Sequence, residues 1–153
     1  MYKKILVPLD GSTLAELALA NAVLIASSSQ ATELVIIFVV KPFKDMAHWV
    51  SDEIAQKMEE EAVRVAQKYL DQIVEKLTIK GITAEGVIAK GDPAEVIREY
   101  AVKTGVGLIV MGTHGRTGFS RLMFGSVASG VIHNSSMPVL LVPPDALVPE
   151  SSR

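Results

Sequence analysis

No cysteine occurs among the 153 residues, which excludes disulfides, thiolate metal sites and cysteine nucleophiles and accords with a reducing compartment. Long apolar runs are missing too. The longest, Leu34 to Val40, is far short of the ~20 residues a membrane-spanning helix needs. Only five residues, Ile5 to Leu9, separate Lys4 from Asp10, too few for the apolar part of a secretory leader, so a cytoplasmic location is the expectation. Neither sign of charge dominates. A net charge of −2, from 15 basic and 17 acidic side chains, creates no field that would draw in nucleic acid or an anionic membrane, and neither is expected as a partner. His48, His114 and His133 are scattered and form no His-x-x-x-His pair, which argues against a zinc centre. Also absent is any Gly-x-x-x-x-Gly-Lys-Ser/Thr segment, so a Walker-type phosphate loop is excluded.

What is present is ample material for a core. Hydrophobic residues make up 49% of the chain and charged ones 21%, and a domain of this length removes about 70% of its unfolded surface from water. A single domain over residues 1–144 is expected, followed by a mobile tail over 145–153.

Strand-like and helix-like patterns alternate from end to end. Ile5 to Leu9 is a short apolar run that stops at Asp10-Gly11-Ser12, and Thr13-x-x-Glu16 reads as a capping box opening a helix. Leu34 to Val40 is the second strand. A charged helix is expected from about Asp52 to Lys80, with Ile54, Met58, Ala62, Val65, Tyr69, Ile73 and Leu77 as its inward stripe. Ile82 to Ala89 should be a third, outer strand, because Thr83 and Glu85 interrupt its apolar pattern. Asp92-Pro93-Ala94-Glu95 supplies an N-cap, a proline at the first helical position and an acidic residue to close the box, with Gly105 as the stop. Gly107 to Met111 is the fourth strand, Ser126 to His133 a short helix, and Pro138 to Val142 the last strand. Near-continuous apolar strands separated by helices imply an α/β fold, a doubly wound parallel sheet covered on both faces.

In such a sheet ligands bind beyond the carboxyl ends of the strands, where neighbouring connections leave in opposite directions. Two loops are then expected to meet. One is Pro8-Leu9-Asp10-Gly11-Ser12; the other opens at Met111-Gly112-Thr113-His114-Gly115 and runs to Gly125-Ser126, with Val39 and Val40 alongside. The second has the shape of an anion site: Gly112, Gly115, Gly118 and Gly125 are free to take positive φ and lie close to a ligand, and the amides of Gly125, Ser126 and Val127 begin a helix. Arg116 and Arg121 are the loop's cations, and His114 is a further donor. Spacing alone leaves other readings open: the glycines also suit a tight turn, Asp10 and Ser126 also suit helix caps, and both arginines also suit solvent. Phe43 and Trp49 either cover a bound base or pack peripherally.

These residues resemble a family. Gly112-x-x-Gly115, nine residues, then Gly125-Ser126, preceded by Met111 and followed by Pro138-Val139-Leu140-Leu141-Val142, is similar to the nucleotide-binding pattern of the universal stress proteins. The opening Ile5 to Ser12 and the middle Gly91 to Ile97 are similar to the same family, so the likeness spans nearly the whole domain. The departures lie in the polar stretch Lys41 to Ser51 and in His133 to Met137. The resemblance implies a five-stranded sheet ordered 3-2-1-4-5, a homodimer and the subgroup that binds ATP; Mg²⁺ is expected as the companion of the bound ATP. It places Asp10 near the ribose or a phosphate-bound metal, Val39 and Val40 beside adenine, and Gly112, Gly115, Gly125 and Ser126 around the phosphates. If Val139 to Val142 forms the sheet edge the resemblance implies, its open hydrogen-bonding side is where a second copy would pair. Catalytic company is sparse: Asp10 and His114 are the only candidate bases, with no evident group to orient them. The expectation is a nucleotide-dependent stress-response switch with at most slow hydrolysis, an ATP-cleaving enzyme of related fold being the alternative. Its protein partners are unknown.

Overall fold

Alternation at period two along the first strand sends Ile5, Val7 and Leu9 to one face of a sheet and Leu6 to the other. The computed structural model describes residues 2–28, 32–43, 50–113 and 124–146. Within them the order is β1 (Lys4–Leu9), α1 (Thr13–Ser27), β2 (Glu33–Val40), α2 (Asp52–Ile79), β3 (Ala84–Lys90), α3 (Pro93–Thr104), β4 (Leu108–Gly112), α4 (Ser126–Asn134) and β5 (Val139–Val142). The five strands form one sheet in the order β3-β2-β1-β4-β5, and every pairing is parallel.

Helices α1 and α2 cover one face. Ala15, Ala18 and Ala22 of α1 and Leu70, Ile73 and Leu77 of α2 pack there against Ile5, Val7, Leu34, Ile36 and Val110. On the other face Ile97 and Ala101 of α3 and Ala128 and Val131 of α4 meet Leu6, Val35, Ile37, Ile109 and Met111. Connections from β1 therefore run toward β2 and those from β4 toward β5, which puts the switch point between the carboxyl ends of β1 and β4. No helix among the described residues is long and apolar enough to cross a membrane.

The helix starts follow the expected chemistry with one correction. Asp92 caps α3, its carboxylate accepting the Glu95 amide at 3.1 Å, and Gly105 ends that helix at φ 68. At α1, however, the cap is Ser12 rather than Thr13: the Ser12 hydroxyl accepts the Ala15 amide at 3.2 Å. Glu16 then falls one position too late to reach back to the cap, and its carboxylate accepts the Tyr69 hydroxyl at 3.1 Å instead. Asp145 and Ala146, expected to open a mobile tail, continue in a turn, the Ala146 amide donating to the Pro143 carbonyl at 3.1 Å and its side chain packing on the core; the tail's remainder, 147–153, lies outside the described residues.

Helix α2 departs most from expectation. Its buried residues are Ala55, Ala66, Leu70, Ile73 and Leu77, whereas Ile54, Met58 and Val65 are 49%, 38% and 56% exposed. Length explains the split. Twenty-eight residues make a rod of about 42 Å, while the eight residues of β2 extend about 26 Å. The carboxyl-terminal half of α2 seats on the sheet and the amino-terminal half projects past the strand ends. A 2.8 Å ion pair from Lys90, the last residue of β3, to Glu59 marks where the overhang begins.

Candidate functional site

Backbone direction at β1 explains why a crevice opens at the switch point. The Lys3 carbonyl accepts from Glu33 of β2, and the Lys4 carbonyl accepts from Gly107 at the start of β4; in a parallel ladder the polar groups alternate sides, so Lys4, Leu6 and Pro8 face β4. Pro8 has no N–H to offer. Pairing between β1 and β4 covers only Ile5↔Leu108 and Leu6↔Ile109, although the strands continue to Leu9 and Gly112. The bonded ladder stops where the donor is missing.

A cavity of about 1410 Å³ lies at the carboxyl ends of the strands. It brings together every described member of the sequence-derived site. Pro8, Leu9 and Asp10 line it from β1, Val39 and Val40 from β2, Met111 and Gly112 from β4, and Gly125, Ser126 and Val127 from the start of α4. His114, Gly115 and Arg116, like Arg121, Gly118 and Trp49, lie outside the described residues.

The start of α4 is the polar end of this cavity. Its cap residue, Gly125, has no side chain to accept from the first turn, and the first intrahelical bond runs from the Ser129 amide to the Gly125 carbonyl at 2.9 Å. The amides of Ser126, Val127 and Ala128 precede that bond and carry the helix's partial positive charge. Two expectations are corrected here. The Gly125 amide is not available to a ligand, because it donates to the Thr113 carbonyl at 2.8 Å; Ala128 takes its place as a candidate donor. Nor do Gly112 and Gly125 use positive φ: Gly125 sits at φ −58, and the positive-φ glycines among the described residues are Gly11, Gly81, Gly91 and Gly105.

Thr113 is a structural member of the site that spacing did not reveal. It is 7% exposed; its amide donates to Val142 at 3.1 Å while its carbonyl accepts from Gly125, so one peptide group on either side joins β5 and α4. Gly130 fixes α4 from the other direction. A Cβ there would lie 2.7 Å from the Ala94 Cβ, so α3 and α4 approach as closely as they do only because the side chain is absent.

Asp10 lies opposite the helix start in sequence order, at the end of β1. Its Oδ1 accepts the Ser12 amide at 2.9 Å, which turns the chain into α1 and leaves the cap role to Ser12. Further along, the cavity is walled by residues that the sequence reading assigned to the core: Ile54, Met58 and Val65 of α2, with Lys57 and Glu61 on the same helix. Arg64 beside Glu61, at 2.6 Å, holds that carboxyl below the usual carboxylate range. Tyr69 also lines the cavity, its ring edge-on to Phe38 at 6.2 Å between centroids. The helical period was the only signal for these wall residues, and period does not distinguish a stripe facing a core from one facing a cavity.

Against known proteins, residues 1–143 match the model of the Universal stress protein family. Universal stress protein YxiE of Bacillus subtilis (strain 168) is 35% identical over 148 residues, covering 93% of this chain and 99% of its own. The solved structure of the hypothetical protein MJ0577 of Methanocaldococcus jannaschii is similar with a TM-score of 0.84 and 31% identity, covering 96% of this chain and 99% of that one. A universal stress protein from Archaeoglobus fulgidus, solved in complex with dAMP, shares the fold at a TM-score of 0.66 and 23% identity, covering 92% and 97%.

Proposed function

The chain belongs to the universal stress protein family, and from that premise we propose that it is a cytoplasmic stress-response protein that binds ATP and changes its shape or partner affinity with occupancy. The observation that carries this reading is the meeting of Asp10, Val39, Val40, Gly112 and the uncapped start of α4 in one cavity at the switch point. A helix start with unpaired amides favours phosphate. The Ser126 hydroxyl adds a neutral donor beside it, and Val39 and Val40 offer an apolar resting place for a base. The relative solved with dAMP has the same fold and supports an adenine nucleotide as the ligand class.

Magnesium fits this arrangement as a companion of the nucleotide. No group of three or more metal-ligating side chains converges among the described residues; Asp10 offers a hard oxygen there, and phosphate oxygens would supply the rest of the coordination. Turnover is expected to be slow. Asp10 is the sole ionisable side chain among the described residues Pro8, Leu9, Asp10, Gly112, Gly125 and Ser126 at that end, and its Oδ1 is engaged by the Ser12 amide, which weakens it as a base for water.

Calorimetry on nucleotide-stripped protein should show saturable binding of ATP with Mg²⁺; absence of heat at millimolar ATP would overturn the reading. Product analysis separates the classes. Intact ATP after prolonged incubation is the expected result, traces of ADP would indicate a weak ATPase, and AMP with pyrophosphate would identify an adenylate-forming enzyme instead.

A further inference from the structure

The cavity is larger than one nucleotide requires. Small-molecule sites commonly occupy ~300–1,000 Å³, against about 1410 Å³ here. The overhanging half of α2 forms one wall of the cavity, where Ile54, Met58 and Val65 make a single stripe at helical spacing and stand 49%, 38% and 56% exposed. Phe43 and Phe124 line the same cavity, the latter 53% exposed. Tyr69 presents its ring rather than its hydroxyl, which is tied to Glu16 of α1 at 3.1 Å. Large apolar side chains gathered around a concavity and left unseated mark a binding surface.

The charges at this end select the occupant. Lys57 is paired with Glu53 at 2.7 Å and Glu61 with Arg64 at 2.6 Å, so both are compensated within α2. Lys41, also lining the cavity, forms no ion pair among the described residues. An elongated apolar stripe with one uncompensated cation at its rim matches a hydrocarbon chain ending in an anion.

We propose that the α2 side of the cavity takes the chain of a fatty-acyl ligand, its carboxylate or equivalent anionic group at Lys41, beside the nucleotide site rather than in it. The proposal stands apart from the nucleotide reading: ATP titration alone tests that one, and acyl binding with no ATP binding leaves this one intact.

The test is calorimetry of the stripped protein with octanoate, decanoate and dodecanoate below their micelle concentrations, with and without saturating ATP, checked by native mass spectrometry. One chain per protomer is expected, with affinity rising severalfold for each added methylene, up to the ~fourfold of complete burial, and with a ternary complex when ATP is present. Dodecanoyl-coenzyme A in place of dodecanoate distinguishes a thioester source from a free acid. Met58→Asp, at a half-exposed helix position, should lower dodecanoate affinity at least tenfold and ATP affinity far less, with the fold retained by circular dichroism, and Lys41→Glu should weaken dodecanoate much more than dodecanol. Chain-length independence, displacement of ATP by dodecanoate, or an unchanged affinity in Met58→Asp would overturn the proposal. So would loss of self-association in Met58→Asp, which would identify the stripe as a contact between copies of the chain.

Discussion

A single missing hydrogen-bond donor decides how far β1 and β4 stay paired. With Pro8 turned toward β4, the bonded ladder ends at Leu6 and Ile109, and Pro8 lines the cavity at the switch point. Replacing Pro8 by valine restores the donor and lets the ladder continue toward Met111. The added bond contributes ~0.5–1.5 kcal/mol and the freed backbone costs ~0.4–1 kcal/mol through the unfolded state, so the melting temperature should shift little while ATP affinity falls about tenfold, or ~1.4 kcal/mol. Calorimetry beside a thermal melt checks this, and an affinity equal to the parent's would remove Pro8 from the argument. At this scale, residue type was readable in the sequence and conformation only partly so. The glycine spacing pointed to Gly112 and Gly125, but the reason offered, positive φ, does not hold for either. The Gly125 amide was expected to meet the ligand and is spent on Thr113, a backbone pairing that no side-chain pattern encodes.

Among the elements, α4 carries the polar chemistry through what its first turn lacks. A carboxylate placed there would interact favourably with the helix dipole and at the same time repel phosphate. Ser126→Asp should therefore keep or raise thermal stability, by ~0.3–1 kcal/mol at low salt, while reducing ATP binding at least tenfold. The opposite signs exclude misfolding as the cause; a variant that binds as the parent does would show that the α4 start is not the phosphate site. Helix α2 shows where reading by element stops. Its boundaries and apolar period were legible within a residue or so, since Ser51 and Asp52 open it and Gly81 follows its end. Which half would be seated was not, because that depends on the length of β2 and β3 against the helix, a comparison made only when the chain folds. The same limit applies to α1, where Ser12 and Thr13 both have capping side chains and the packing of Glu16 against Tyr69 accompanies the choice of Ser12.

For the molecule as a whole, the sheet leaves β5 at an edge, paired only with β4 among the described strands. It is apolar at all four positions, and Leu140 is 39% exposed. Such an edge invites pairing with another chain, and a two-fold dimer through Val139–Val142 is the form we propose. Sedimentation at micromolar concentration should give a dimer, and Leu140→Lys, which places a charge on the open edge, should shift it to monomer with a change in melting temperature traceable to lost association. A parent protein that sediments as a monomer would rule this out. The parallel, doubly wound architecture was legible at this scale because fully buried strands read as continuous apolar runs; the strand order came from family resemblance, since apolar runs do not state their neighbours. The backbone bond between Thr113 and Gly125 has a consequence of its own. It joins positions 113 and 125, with Val142 braced on the far side, so the frame holds its own closing contact at that point. Lengthening a segment whose ends are already joined is inexpensive, ~0.6 kcal/mol for each doubling. Insertions between positions 113 and 124 should therefore leave the five-stranded frame nearly as stable as before, which a thermal melt of such variants checks.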